Sequence, residues 1–158
     1  YITYLDGDDY YFPEKIAAEV AVLNQFENAQ IAYSNFNFSY NGRKKPKKWM
    51  INQESQEPKD LFERVITRNF PNNAVFRCEM YRRQILVDLV GYYDESLFAF
   101  EDWDLKIRAT KMFKAGYSGV LGSAYVQHVS SISKDPTKKQ NVDAAFDSVL
   151  KKNLPLLD

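Results

Sequence analysis

A strand pattern leads directly into an acidic loop and then into a helix at the start of this 158-residue chain. Residues 1–5 are rich in the aromatic and β-branched side chains that favour buried strands. Residues 6–9, with the sequence Asp-Gly-Asp-Asp, form the acidic loop, and Pro13 stands where a helix can begin. Because ligands of α/β sheets bind beyond the carboxyl ends of strands, this order predicts an α/β fold with a ligand site at the loop.

Strand and helix patterns continue to alternate after this first unit. Apolar residues recur at helical spacing through residue 26 and again over residues 101–115. Gly91 and Gly116 are expected to end the last two helices of this pattern. The order predicts a single α/β domain over residues 1–158 with a mixed sheet. The predicted helices cover residues 13–26, about 58–66, 79–89 and 101–115, and the predicted strands cover residues 1–5, 30–40, 74–78 and 117–127.

Two segments fit the alternation less well. Residues 43–48 hold five cations and follow the turn signal Asn41-Gly42, which predicts a mobile loop. This basic loop is either simply solvated or contacts phosphates of a donor or of an anionic acceptor. The C-terminal tail covers residues 131–158. Its stretch from residue 134 to residue 150 is polar, and a helix packed on the outside is predicted for the second half of that stretch.

Composition places the chain among ordinary soluble globular proteins. Hydrophobic residues make up 45% and charged residues 27%, and 21 cations balance 21 anions, so net charge argues neither for nor against a nucleic-acid partner. We expect no nucleic-acid partner. The single cysteine, Cys78, excludes an internal disulfide and is expected in the core. No signal peptide or membrane-spanning run is visible. We therefore expect a cytoplasmic protein, with peripheral association at the inner face of the membrane as an option.

The acidic loop crowds three carboxylates into four residues. Mg²⁺ and Mn²⁺ take oxygen ligands and often complete their shell with water and substrate phosphates, so one or two of these carboxylates plus a diphosphate could hold such an ion. The alternative is an acidic turn that only caps the following helix. An EF-hand is excluded, because its sixth and twelfth positions, counted from Asp6, fall on Tyr11 and Ala17.

A second acidic group surrounds Trp103 at the start of a predicted helix, with Glu101 and Asp102 before it and Asp104 after it. A carboxylate here could take a proton from an attacking acceptor hydroxyl, as a general base does. Trp103 could bind the acceptor by offering a flat apolar face to a sugar ring, or it could belong to the core. The acids could equally serve the helix dipole, which favours negative charge in a first turn.

His128 is the only histidine and ends the last predicted strand. A neutral imidazole binds metal ions readily, so His128 is a candidate metal ligand. A purely structural role is the alternative.

Taken in order, these motifs resemble glycosyltransferase family 2, whose enzymes have the GT-A fold. Residues 1–16 look like the family's strand, Asp-x-Asp loop and proline-started helix, and are also similar to the spore-coat polysaccharide glycosyltransferases of bacilli. Residues 90–97 resemble the family's Gly-Phe-Asp-Glu element, and residues 101–105 resemble its Glu-Asp motif. Residues 125–128 resemble a late strand that ends in a metal-site histidine, so the resemblance covers residues 1–130.

The resemblance implies an inverting, metal-dependent transfer of a sugar in polysaccharide biosynthesis. The donor would be a nucleotide-diphosphate sugar, such as a UDP- or dTDP-sugar, and the acceptor a saccharide or a lipid-linked molecule. Asp8 and His128 would hold Mn²⁺ or Mg²⁺, and Asp6 would contact the nucleotide ribose or the metal's waters. Asp102 would be the catalytic base, and Glu101 would support the site.

One departure from the family leaves two other classes of function open. Family members begin with a nucleotide-binding half that has no counterpart here, so we expect this chain to be a fragment of a larger GT-A domain. The first alternative is a non-catalytic binding or scaffold remnant of such a domain. The second is another metal-dependent nucleotide enzyme, such as a nucleotidyltransferase, which would leave Asp102 and His128 unexplained.

Overall fold

A long pair of parallel strands organises this mixed α/β structure. The computed structural model describes residues 1–40, 47–50, 54–128 and 136–157. The strands are β1 (Ile2–Thr3), β2 (Tyr10–Tyr11), β3 (Ala29–Tyr40), β4 (Lys47–Lys48), β5 (Met80–Tyr81) and β6 (Lys114–Gln127). The helices are α1 (Lys15–Gln25), α2 (Phe62–Ile66), α3 (Arg83–Ile85), α4 (Glu101–Met112) and α5 (Lys139–Asn153). A π-helical turn over Leu86–Val90 continues α3, and 3-10 turns cover Pro71–Asn73, Pro136–Lys138 and Leu154–Leu157.

The sheet is mixed, as the sequence predicts. Within the described ranges its strand order is β1-β5-β3-β6-β2, and β4 pairs with β3. β3 and β6 run parallel from the pair Ala29 and Lys114 to the pair Tyr40 and Gln127, whereas the other pairings are antiparallel. α1 packs on β3 and β6, and α4 leads directly into β6. The carboxyl ends of the two long strands therefore lie side by side.

The core is aromatic and reaches the C-terminal helix. The rings of Tyr33 and Phe76 stack with centroids 4.8 Å apart. Val149 of α5 is fully buried, and Phe146 of the same helix stacks on Trp103 at 5.1 Å. The tail therefore forms the predicted helix, but this helix closes part of the core. In the described part of the chain, no helix is long and apolar enough to cross a membrane.

Two predicted strands and part of the basic loop differ from the structure. The first strand keeps only Ile2–Thr3 of residues 1–5. Residues 74–78 form no strand, and Cys78 has a left-handed backbone (φ 53°) that a regular strand cannot contain. Cys78 itself is buried, as expected. In the basic loop, Lys47–Lys48 pair with β3, while residues 41–46 lie outside the described part.

Two predicted helices also have different bounds. The helix expected over residues 79–89 begins only at Arg83, since Met80–Tyr81 join the sheet; Gly91 (φ 80°) follows its end, as predicted. The helix expected over residues 101–115 ends at Met112, and Gly116 lies inside β6. Of the apolar residues in the predicted range, Leu105 and Ala109 are buried, Phe113 is partly buried and Met112 is half exposed.

Gly116 is required for packing, which gives a prediction about stability. A Cβ added at Gly116 would lie 2.6 Å from Cγ1 of Val22, which is buried on α1. We expect Gly116→Ala to lower the free energy of unfolding by about 1–3 kcal/mol, because the helix must move away from the strand. Urea denaturation measures this change. Gly7→Ala is the matched control, since nothing lies within 4 Å of its added Cβ; equal stability of the two variants would contradict the prediction.

Candidate active site

One cavity of ≈ 860 Å³ collects the candidate residues. It lies at the carboxyl ends of the long strands, where Phe38 of β3 and Tyr125 of β6 line it. Asp6 and Asp8 come from the acidic loop, and Glu101, Asp102 and Trp103 come from the start of α4. The cavity is lined by all six residues that the sequence singles out, namely Asp6, Asp8, Glu101, Asp102, Trp103 and His128.

The acidic loop is tied to the end of β6 by Asp9. The backbone amide of Asp9 donates to the carbonyl of Asp6 at 3.1 Å, which closes the turn. Asp9 is almost fully buried, and its Oδ1 accepts a hydrogen bond from the amide of Val126 at 2.8 Å. Burial raises the pKa of Asp9, although this hydrogen bond and Arg77 act against the rise. Asp9, to which the sequence assigns no role, thus fixes the loop beside His128.

Asp8 and His128 are in direct contact. Asp8 Oδ2 lies 2.7 Å from His128 Nε2, and the two side chains are 44% and 29% exposed. Two ligand atoms in neighbouring positions around a Mg²⁺-sized ion lie ~3 Å apart for bonds of ~2.1 Å, so this pair fits a shared divalent ion. Among the described residues no group of three or more metal-binding side chains occurs. Such an ion would therefore need oxygen atoms from substrate or water to complete its shell.

Arg77 is a basic residue of the site that the sequence patterns did not indicate. Its Nη2 lies 2.6 Å from Asp6 Oδ2 and 3.7 Å from Asp9 Oδ2, and its guanidinium lies 3.9 Å from the centroid of the Tyr125 ring. Burial acts to lower the pKa of Arg77, but Asp102, Tyr125 and Asp6 outweigh it, so the pKa rises. Asp6 is therefore held in an ion pair with Arg77.

Asp102 lies in the first turn of α4 and is one-third exposed to the cavity. Phe100, which precedes the helix, has a left-handed backbone (φ 64°), a conformation that is costly for a side-chain-bearing residue and frequent at functional sites. Asp102 Oδ2 accepts a hydrogen bond from Lys106 Nζ at 2.6 Å. Burial acts to raise the pKa of Asp102, but Lys106 and Arg77 outweigh it and hold this pKa below its usual value. Asp102 is therefore ionised at neutral pH.

A buried polar network holds Asp102 through Lys106. Lys106 is 1% exposed; it also donates to the hydroxyl of Tyr4 at 2.8 Å and lies 3.6 Å from Glu79 Oε1. Glu79, which is fully buried, accepts hydrogen bonds from Tyr4 at 2.9 Å and from Tyr81 at 2.5 Å. Burial acts to lower the pKa of Lys106, but Asp102 and Glu79 raise it above its usual value. Lys106 thus pairs with two carboxylates, those of Asp102 and Glu79. The sequence patterns did not indicate this role of Lys106.

Trp103 is a core residue. Its side chain is 3% exposed, its Nε1 donates to the carbonyl of Val65 at 2.8 Å, and Phe146 covers one ring face. This burial favours the core interpretation over the proposed contact with an acceptor sugar. The exposed aromatic side chains of the cavity are instead Tyr93 and Phe98, which are 41% and 51% exposed and which the sequence patterns did not indicate.

Glu101 occupies the first position of α4 and lines the cavity beside Asp102. Its side chain is partly buried. Its supporting role stays a prediction, as do the roles of the other candidates.

Comparison with known proteins gives one distant relationship. No family model matches the chain. The chain is 23% identical over 156 residues to an uncharacterized glycosyltransferase of Rickettsia typhi. The aligned region covers 96% of this chain and 48% of that protein. The chain thus spans about half the length of this curated relative. It is a mixed α/β chain, compatible with a glycosyltransferase-like fold, and it is distantly similar to a glycosyltransferase.

Proposed function

We propose that this chain belongs to the catalytic part of an enzyme that transfers a sugar from a nucleotide-diphosphate sugar to an acceptor hydroxyl. One observation carries the proposal: a single cavity brings the ionised Asp102 together with the adjacent pair Asp8 and His128. The distant similarity to a glycosyltransferase supports the same class of reaction. Because the chain spans about half of that relative, the donor, the acceptor and the activity of the whole protein are parts of the proposal.

The proposed reaction inverts the configuration at the anomeric carbon and needs one carboxylate base. Asp102 accepts the proton of the acceptor hydroxyl while the hydroxyl oxygen forms a bond to the anomeric carbon. The bond from that carbon to the diphosphate breaks on the opposite face, and the nucleoside diphosphate leaves with the electron pair. A base of this kind contributes roughly 10²–10⁴-fold to a rate. An ionised, one-third-exposed Asp102 is suited to this task.

The leaving group needs positive charge, and the chain offers residues for it at the acidic loop. Asp8 and His128 would hold Mn²⁺ or Mg²⁺, and such an ion offsets the negative charge that develops on a departing diphosphate. Asp6 is already paired with Arg77, so it would act as a contact for the nucleotide ribose or for water. This division leaves Asp8 as the carboxylate ligand.

We further propose that the complete fold is GT-A and that the donor carries UDP or dTDP. The acceptor is a saccharide or a lipid-linked molecule of polysaccharide biosynthesis, reached from the cytoplasmic side of the membrane. The mixed sheet, with the acidic loop and His128 at the carboxyl ends of its long strands, supports this fold.

Nucleotide binding tests the proposed function on the full-length protein. We expect UDP with Mn²⁺, at about 100 times its Kd, to raise the melting temperature by roughly 5–10 °C, since such binding contributes ~2.7 kcal/mol. No shift with UDP, dTDP or GDP in the presence of Mn²⁺ or Mg²⁺ would contradict sugar transfer. That outcome would favour a non-catalytic domain.

The role of Asp8 gives a more specific prediction. Asp8→Asn keeps the shape of the side chain but removes the charge beside His128, so we expect the Kd for Mn²⁺ in the presence of UDP to rise by at least about tenfold. Titration of Mn²⁺ with UDP held constant measures this Kd. Asp88→Asn is the matched control, because Asp88 is exposed and lies outside the cavity. Equal Mn²⁺ affinity in the two variants would remove Asp8 from the metal site.

A further inference from the structure

We propose that Arg68 binds an anionic group of the acceptor, so that this enzyme selects acceptors that carry a carboxylate or a phosphate. The inference rests on the proposed sugar transfer, since it names the charge class of the acceptor at the same cavity. Its basis is a cation that lines the cavity and has no carboxylate partner among the described residues.

The other cations of the cavity wall are matched by carboxylates. Arg77 lies 2.6 Å from Asp6, and Lys106 lies 2.6 Å from Asp102. For Arg68, by contrast, no carboxylate of the described ranges comes within 4.0 Å. The wall therefore contains one guanidinium whose charge the described protein does not offset by an ion pair.

Packing holds the Arg68 side chain in a defined position. Its guanidinium carbon lies 5.4 Å from the Trp103 ring, 5.8 Å from the Phe100 ring and 5.9 Å from the Phe146 ring. Its Nε donates to the carbonyl of Asn73 at 3.2 Å. Within the described residues this is the one hydrogen bond of the guanidinium, so both terminal nitrogens can donate to a ligand. Two parallel N–H groups match the two oxygens of a carboxylate or a phosphate.

Burial makes an anionic ligand favourable at this position. Arg68 is half-buried, and this burial lowers its pKa although Asp102 acts to raise it. The three aromatic rings and the charge of Asp102 compensate this loss of water only in part, and an oxyanion that binds Arg68 offsets the remainder. Because hydrogen bonds to charged groups are stronger than those between neutral groups, we expect at least about a tenfold effect on affinity.

The position of Arg68 assigns the anion to the acceptor and not to the donor. Arg68 packs on Phe100 and Trp103, which flank the proposed base Asp102, whereas the proposed diphosphate site lies at Asp8 and His128. The acceptor hydroxyl must reach Asp102, so its anionic group is the one that can contact Arg68. The charge could belong to an acidic sugar or to the phosphate of a lipid carrier, and both present the same oxygens to the guanidinium.

Binding of matched neutral and anionic probes tests the proposal on the full-length protein. Ligand-observed NMR would give the Kd of methyl glucuronide against methyl glucoside, and of farnesyl phosphate against farnesol, with and without UDP and Mn²⁺. We expect one anionic probe to bind at least about tenfold more tightly than its neutral partner. The pair that shows the preference identifies the source of the charge. Equal affinities within both pairs in the unmodified protein would overturn the proposal.

Two substitutions of Arg68 and a control substitution of Arg64 test whether the preference depends on Arg68. Arg68→Gln should abolish it, and Arg68→Lys, which keeps the charge without the planar fork, should retain part of it. Arg64→Gln is the matched control, because Arg64 also packs on an aromatic ring but is paired with Glu54 at 3.0 Å outside the cavity. An unchanged preference in Arg68→Gln would also overturn the proposal. If UDP and Mn²⁺ bind but neither probe pair shows a preference, the anion site at Arg68 is contradicted and the proposed sugar transfer stands. If UDP and Mn²⁺ do not bind, the proposed sugar transfer is contradicted, and the probe pairs still show whether Arg68 binds an anion.

Discussion

Replacing Asp102 by asparagine is expected to lower the rate of sugar transfer by roughly 10²–10⁴-fold and to leave binding of UDP and Mn²⁺ intact. Asparagine keeps the size of the side chain but cannot accept the proton of the acceptor hydroxyl. The nucleotide and metal contacts are proposed at the acidic loop and His128, which lie outside α4. Single-turnover transfer to an acceptor measures the rate, and the melting temperature with and without UDP and Mn²⁺ measures binding.

The substitution also removes a charge next to Lys106, so its effect on folding must be separated from its effect on chemistry. Lys106 still has Glu79 as a partner, with Oε1 3.6 Å from its Nζ. We therefore expect the Asp102→Asn variant to fold, with a lower melting temperature. Asp147→Asn is the matched control, because Asp147 is exposed on α5 and lies outside the cavity. A folded Asp102→Asn protein with unchanged turnover would remove Asp102 from the role of base.

The parts of the site that stand together in the sequence could be predicted from it. The acidic loop follows a strand, and Glu101 and Asp102 open a helix, so their residue types and spacing indicate acidic chemistry without any tertiary structure. His128 directly follows β6, and strand periodicity places it at a carboxyl end. Hydrophobic periodicity likewise predicted α1, β3 and β6, because their apolar faces are encoded locally.

The residues that set the charge of the site could not be predicted, because their contacts join distant positions. Lys106 meets Tyr4 across 102 positions, and Arg77 meets Asp6 across 71. Nothing in the local pattern of either residue distinguishes it from a solvated cation. The same reason applies to Trp103, whose ring is covered by Phe146, 43 residues further along the chain.

Replacing Lys106 by methionine should have the largest effect on stability, about 3–5 kcal/mol of the free energy of unfolding at neutral pH. Methionine fills similar space but leaves the fully buried Glu79 without a cation, and an unpaired buried charge is costly. Guanidinium chloride denaturation measures the loss. Adding Glu79→Gln to the variant should restore part of it, since that substitution removes the unpaired charge. Lys111→Met, on the exposed side of α4, is the control and should change stability by less than about 1 kcal/mol.

The same variant should change the pH dependence of transfer, because Lys106 is the nearest cation that holds the pKa of Asp102 down. Burial, which acts to raise this pKa, remains in Lys106→Met, so the pKa of Asp102 should rise and the acid limb of kcat/KM should move to higher pH. The stability that Asp102 gains from its low folded pKa is present above the unfolded pKa of ~3.9 and is lost as pH falls through the folded value. The stability difference between the unmodified protein and Lys106→Met should therefore narrow in acid. An unshifted acid limb in a folded variant would show that Lys106 supports the fold without tuning the base.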